Sequence, residues 1–144
     1  MTEISFYLLR TESAHERYSY VCKLLEKAFR SGRFCYILTD SEQQSRLLDD
    51  LLWSFRPGSF IPHQIYEGQL PNWQHTMLIG HLSAPTATVW SNTIINVSSH
   101  CPENFLQVER ILEILDNNET VKNTGRTRYR QYKSAGLPIT THNL

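Results

Sequence analysis

The spacing of hydrophobic and polar positions changes several times along the chain, and each change marks an element. Ile4 to Leu9 (ISFYLL) is an apolar run of strand length, predicting a buried strand that opens the domain. Thr11 and Ser13 then offer capping side chains ahead of a helical pattern. Tyr18, Val21, Cys22, Leu25, Ala28 and Phe29 recur three and four positions apart, which puts them on one helical face. Ser31-Gly32 stops that helix, because glycine tolerates the left-handed conformation of a helix end. Phe34 to Leu38 (FCYIL) predicts a second strand, and Thr39-Asp40-Ser41 begins a second helix. That helix is expected to turn Leu47, Leu48, Leu51 and Leu52 inward and to end near Trp53.

A strand-helix-strand-helix opening favours parallel neighbours with helices packed across the sheet. Ser54 to Trp73 reads as a loop, broken by Pro57, Gly58, Pro62, Gly68 and Pro71. Thr76 to Ile79 and Thr93 to Val97 predict two more strands. The Ser83 to Asn92 stretch between them is short and broken for a helical crossover, so an antiparallel pairing is expected. Phe105, Val108, Leu112 and Leu115 suggest an amphipathic helix behind Pro102 and Glu103. After a turn at Asp116-Asn117-Asn118, a last helix is expected over Glu119 to Ala135, with Gly125 weakening its middle by about 1 kcal/mol. Gly136 and Pro138 end it, leaving Leu137 to Leu144 as a tail. The fold class expected is α/β, a three-layer α/β/α arrangement on a mixed, mainly parallel sheet. It is nucleotide-binding-like in order but lacks phosphate-binding motifs.

Composition narrows the function classes. A length of 144 residues suits one domain, 1–144, large enough to bury a core without staples. Hydrophobic residues make up 40% and charged residues 19%, as in ordinary globular proteins. Lys plus Arg and Asp plus Glu both number 14, and this balance argues against broad, non-specific nucleic-acid binding while leaving room for a local basic patch. The apolar run at Phe6 to Leu9 is short for a signal-peptide core, and no segment has the apolar length of a membrane span. Cys22, Cys35 and Cys101 are odd in number and without CxxC spacing, which suits a reducing cytoplasm.

Candidate catalytic chemistry is sparse. The turn after the first strand, Leu9-Arg10-Thr11-Glu12-Ser13, has no glycine to let backbone amides wrap a phosphate, and Glu12 would repel one. His63, His75, His81 and His100 lack metal-ligand spacing, so no metal or cofactor is expected. Cys35 lies within an apolar strand, where an inert thiol is usual, and Asp49-Asp50 reads as a solvated helix face.

Two stretches carry more information. Leu52-Trp53-Ser54-Phe55-Arg56-Pro57-Gly58-Ser59-Phe60-Ile61-Pro62-His63 places a Trp, two Phe and an Ile in a loop that should be polar. These rings either fold back into the core or form a rigid docking surface of aromatic anchors, with Trp53 and Phe60 its foremost candidates. In Lys122 to Lys133 (KNTGRTRYRQYK), helical spacing puts Lys122, Arg126, Arg130 and Lys133 on one face, bordered by Tyr129. That face is either a solvated helix end or an anion site with an aromatic wall. As an anion site it fits nucleic acid or an acidic peptide, and zero net charge leans toward the peptide.

The opening Phe6-Tyr7-Leu8-Leu9, the Leu52-Trp53 to Pro62-His63 loop, and Arg126-x-Arg128-Tyr129-x-x-Tyr132-x-x-Ala135-Gly136 together resemble the chi subunit of bacterial DNA polymerase III. The resemblance covers nearly the whole chain. It implies a non-catalytic accessory subunit that bridges the clamp loader, through the psi subunit, to the C-terminal tail of single-stranded DNA-binding protein. It implies no cofactor, no membrane partner and only indirect association with DNA. Family positions at the psi-facing surface fall on Trp53, Phe60 and Pro62; those for the tail fall on Leu115, Lys122, Arg126, Tyr129 and Arg130. A direct single-stranded nucleic-acid module using the same basic helix is the alternative, and an enzyme the remotest third.

Overall fold

The computed structural model describes residues 1–55, 60–86 and 88–144. Its core is a seven-stranded sheet, and every strand pairing among the described residues is parallel. In chain order the elements are β1 (Glu3–Leu8), α1 (Ala14–Arg30), β2 (Tyr36–Leu38), α2 (Glu42–Ser54), β3 (His63–Ile65), β4 (Met77–Gly80), β5 (Thr93–Asn96), β6 (Arg110–Leu115), α3 (Glu119–Ser134) and β7 (Ile139–Asn143). Across the sheet the strands run β3-β4-β2-β5-β6-β1-β7. Local chemistry explains the helix ends. The Ser13 hydroxyl accepts from the Glu16 amide, and the Ser41 hydroxyl from the Gln44 amide, so each satisfies a donor that its helix leaves free. Gly32 (φ +72°) and Gly136 (φ +76°) supply the left-handed residues that follow α1 and α3.

The α/β class and the three layers are as expected. Val21, Cys22 and Leu25 of α1, with Leu48 and Leu52 of α2, cover one face, against Ile37, Ile79, Ile95, Leu112 and Ile114. Tyr132 of α3 lies on the other face with Phe6, Tyr36, Leu78, Ile94 and Ile111. Alternate residues of each strand thus feed opposite layers.

Five expectations are corrected. β4 and β5 are not an antiparallel pair. Each lies beside β2, and a connection that only has to step over one strand manages with a 3-10 turn at Val89–Ser91. Trp90 in that turn is buried and donates its indole N–H to the Thr76 carbonyl at 2.6 Å. The helix expected around Phe105 to Leu115 is instead a 3-10 turn at Phe105–Gln107 followed by β6. The expected tail forms β7 beside β1. Part of the expected loop forms the edge strand β3. Leu47 points outward, leaving Leu48 and Leu52 as the buried leucines of α2.

The topology positions a crevice. From β1 the chain leaves toward α1 on one face, while from the adjacent β6 it leaves toward α3 on the other. Neighbouring strands whose continuations diverge in this way leave an opening at their carboxyl ends, where ligands of parallel α/β sheets commonly bind.

Candidate functional site: a basic groove and an aromatic patch

That opening is a groove of about 620 Å³ at the carboxyl ends of β1, β6 and β7 beneath α3. Phe6, Leu8 and Leu115 line it from the strands, and Lys122, Gly125, Arg126 and Tyr129 from α3. It therefore gathers four of the five residues assigned to the tail, Leu115, Lys122, Arg126 and Tyr129. Arg130 is exposed on α3 but does not line the groove. Tyr129 is 38% exposed and leans on Phe6, with ring centroids 5.5 Å apart, so its outer face remains available. The Arg126 guanidinium is exposed and donates to the Asn123 side chain at 2.7 Å; among the described residues it has no carboxylate partner. Lys122 reaches Glu119 at 3.1 Å, an exposed pairing that an incoming anion can displace at little cost.

The height of α3 above the sheet is set by contacts that sequence reasoning missed. Glu113 projects from β6 into the interior and is fully buried. Its carboxylate accepts from Arg128 Nε (3.0 Å), the Tyr132 hydroxyl (2.5 Å) and the Asn96 amide (2.9 Å). A carboxylate with three donors, one of them a cation, offsets its desolvation, and two of those donors belong to α3. Burial first, and then the neighbouring Glu113 charge, push the Tyr132 hydroxyl far above the ordinary tyrosine range, so it stays a donor. Gly125 completes the fit: a Cβ there would lie 2.5 Å from Leu115 Cδ1. The glycine that weakens the helix is what lets α3 approach the groove floor.

Charge around the groove is arranged with similar economy. Arg10, in the turn after β1, adds a cation across from α3. Asp116 also lines the groove but is neutralised from below by Arg17, whose Nε lies 3.1 Å from its carboxylate. Arg17 Nη1 also donates to the carbonyls of Val97 and Ile114, fixing it in place. The net result is a groove with an apolar floor, an aromatic wall and cations at Arg10, Lys122 and Arg126.

The second set of residues, Trp53, Phe60 and Pro62, sits at the β3 edge. Trp53 is 62% exposed and Phe60 59%, with ring centroids 5.3 Å apart. Trp53 also meets His63 edge-on at 4.9 Å. His63 is held by the Ile61 carbonyl at 2.6 Å and lies 3.3 Å from Asp49. Pro62 is half-buried, and its carbonyl accepts from the Met77 amide at 2.8 Å. Phe55 and Ile61 turn into the core instead, so the aromatic loop divides between both of its possible fates. Arg56, Pro57, Gly58 and Ser59 lie outside the described residues.

No group of three or more potential metal ligands occurs among the described residues. Burial pushes the Cys22 thiol up to about 12, away from the reactive thiolate. Among the described residues, no helix is long and apolar enough to cross a membrane.

Comparison with known proteins bears on the fold and the family. A crystal structure of T4 UvsW superposes with a TM-score of 0.67 at 10% identity, covering 99% of this chain but 42% of that one, which speaks to the fold alone. The DNA polymerase III subunit chi of Pseudomonas aeruginosa is 29% identical over 100% of this chain and 98% of its own length. Those of Haemophilus influenzae and Escherichia coli are each 24% identical, over 96% and 98% of this chain and 95% and 97% of their own lengths. Residues 1–140 match the family described as DNA polymerase III chi subunit, HolC. The chain thus belongs to the DNA polymerase III chi subunit family, whose members are accessory subunits and not catalysts.

Proposed function

We propose that this chi-family subunit bridges two partners. The basic groove holds the C-terminal tail of single-stranded DNA-binding protein, and the aromatic patch docks the psi subunit of the clamp-loader assembly. The observation that carries the first assignment is the convergence of Leu115, Lys122, Arg126 and Tyr129 on one groove. The chemistry matches a peptide that ends in acidic residues and a Pro-Phe pair. Leu115 and Tyr129 wall the phenylalanine, Arg126 takes the terminal carboxylate as a bidentate fork, and Lys122 and Arg130 meet the acidic residues. The sharp apolar floor favours this peptide over nucleic acid for the groove, because a phosphodiester backbone has no use for a slot made of Phe6, Leu8 and Leu115.

The second assignment is supported by Trp53 and Phe60 standing exposed as a tilted pair in contact, the kind of ring cluster that supplies most of an interface's binding energy. β3 and β1 are five strand positions apart, on the order of 24 Å at ordinary strand spacing, so the two partners do not compete for space. The test is a calorimetric titration with a synthetic tail peptide beside a pull-down of psi. Arg126→Ala is expected to lose the peptide and keep psi, and Trp53→Ala to do the reverse. One variant losing both partners while staying folded would count against separate surfaces.

A further inference from the structure

The amino-terminal end of the sheet, opposite the groove, carries a second concentration of cations. Two clefts of about 430 and 350 Å³ share Arg33, Thr93 and Arg110 in their linings. Lys27 joins one cleft, and the other is lined by Phe34, Gln74, His75 and Asn92. Among the described residues, none of Lys27, Arg33 and Arg110 has a carboxylate within ion-pair distance, although Glu109 also lines one cleft and Glu3 is the register neighbour of Arg110. Burial pushes the Cys35 thiol up to about 11 while the charges of Arg110 and Arg33 both pull the other way. Two arginines therefore line the same pair of clefts, and among the described residues neither has a carboxylate within ion-pair distance.

Beside them stands an aromatic stack. His75 lies flat on Phe34, with centroids 5.2 Å apart and planes 13° from parallel. Trp73 is tilted against His75, with centroids 5.6 Å apart, and is 57% exposed. Arginines for phosphates beside a free aromatic face are what single-stranded nucleic acid requires, since every base has a π-face and every linkage a charge. Around the two arginines this cleft is lined mainly by polar groups, among them Gln74, Asn92 and Thr93, with Phe34 and Val89 as its apolar members, whereas the adjoining cleft carries Leu24, Ile95 and Leu112.

We propose that this cleft is a single-stranded nucleic-acid contact, with phosphates on Arg33 and Arg110 and a base stacked on Trp73. It is separate from the basic groove under α3 and does not depend on the peptide assignment there. The formal net charge of zero makes the contact local and weak, relevant to a strand already held nearby and not to a search through bulk DNA.

The test is fluorescence anisotropy of a labelled oligothymidylate of about 12 nucleotides, titrated with the full chain across a salt series. Binding at low salt should weaken steeply as salt rises. Arg33→Ala/Arg110→Ala should weaken it by roughly tenfold or more and flatten the log-log salt slope by about 1.4, the value for two lost phosphates on a single strand. Trp73→Ala should cost roughly tenfold, and Trp73→Phe should restore most of that. Because Arg110 is half-buried, Arg33→Glu, at an exposed position, gives the same answer if the double variant melts early. No binding at low salt would overturn the proposal. So would loss of binding with Arg126→Ala but not with the Arg33 variants, or a poly-glutamate peptide that outcompetes the oligonucleotide at this cleft.

Discussion

The basic groove and the aromatic patch reach a recognition surface by opposite routes. The groove is concave and is held open from behind: Glu113 ties down Arg128 and Tyr132 of α3, Gly125 sets the approach to Leu115, and Arg17 neutralises Asp116. The patch is two exposed rings tilted against one another and resting on His63 at the sheet edge, with most of their own surface left open. A preformed groove spends its interactions on geometry before the ligand arrives, which suits a short flexible peptide that would otherwise pay heavily for ordering. Exposed rings serve a folded partner that brings its own pocket. The difference predicts that changes beneath the groove alter both binding and fold stability, whereas changes at the exposed rings of the patch leave the fold largely intact.

The strongest challenge to that contrast is Glu113→Ala. It leaves Arg128 buried and unpaired, so the expected loss is about 3–5 kcal/mol of stability, read from urea unfolding, with loss of peptide binding by the remaining folded protein. Stability within about 1 kcal/mol of the unchanged chain would mean α3 is not held from below as described. At the patch, Trp53→Ala should weaken the psi complex by about 2 kcal/mol or more while shifting stability by no more than about 0.5 kcal/mol. A large stability loss there would erase the distinction between the two regions.

Gly125→Ala refines the account of the groove. The added Cβ meets Leu115 at 2.5 Å, and overpacking of about 1–3 kcal/mol works against a helix-propensity gain of about 1 kcal/mol. Peptide affinity should fall by several-fold, with psi binding unchanged in the pull-down. The smallest effect concerns pH. Cys35 titrates near 9 when unfolded and at about 11 when folded, because burial disfavours its thiolate. A raised folded value means its contribution is complete below pH 9 and is lost as pH climbs toward 11. Thermal melts should show stability declining over that window, with Cys35→Ser flattening the decline, and psi binding at pH 8 unaffected.

Much of this was legible in the sequence, and the gaps have physical causes. Ser13 and Ser41 caps, the Gly32 stop and the spacing of α1 marked the first half correctly, because local chemistry decides those features. β6 was mistaken for a helix because Glu113, a charge at the heart of ILEIL, imitates the polar side of an amphipathic pattern; only its three partners across the fold show why it can be buried. β7 escaped because it is an edge strand with four exposed residues out of five, so alternation gave no core signal. In the groove, α3 spacing was enough to find Lys122, Arg126 and Tyr129. Arg10 and Asp116 were missed because they come to the groove through the order of strands, which a linear pattern does not encode. The topological cue was available in principle: Arg10 follows the first strand of a parallel sheet, where such sheets bind ligands.

The central claim is that two independent surfaces serve two partners, and titration of the acidic Pro-Phe tail peptide into Arg126→Ala tests it most directly. The account predicts that the unchanged chain binds the peptide, that Arg126→Ala weakens it by roughly 30-fold or more for a lost charged fork, and that the variant still pulls down psi in full. Peptide binding as tight in Arg126→Ala as in the unchanged chain would contradict it.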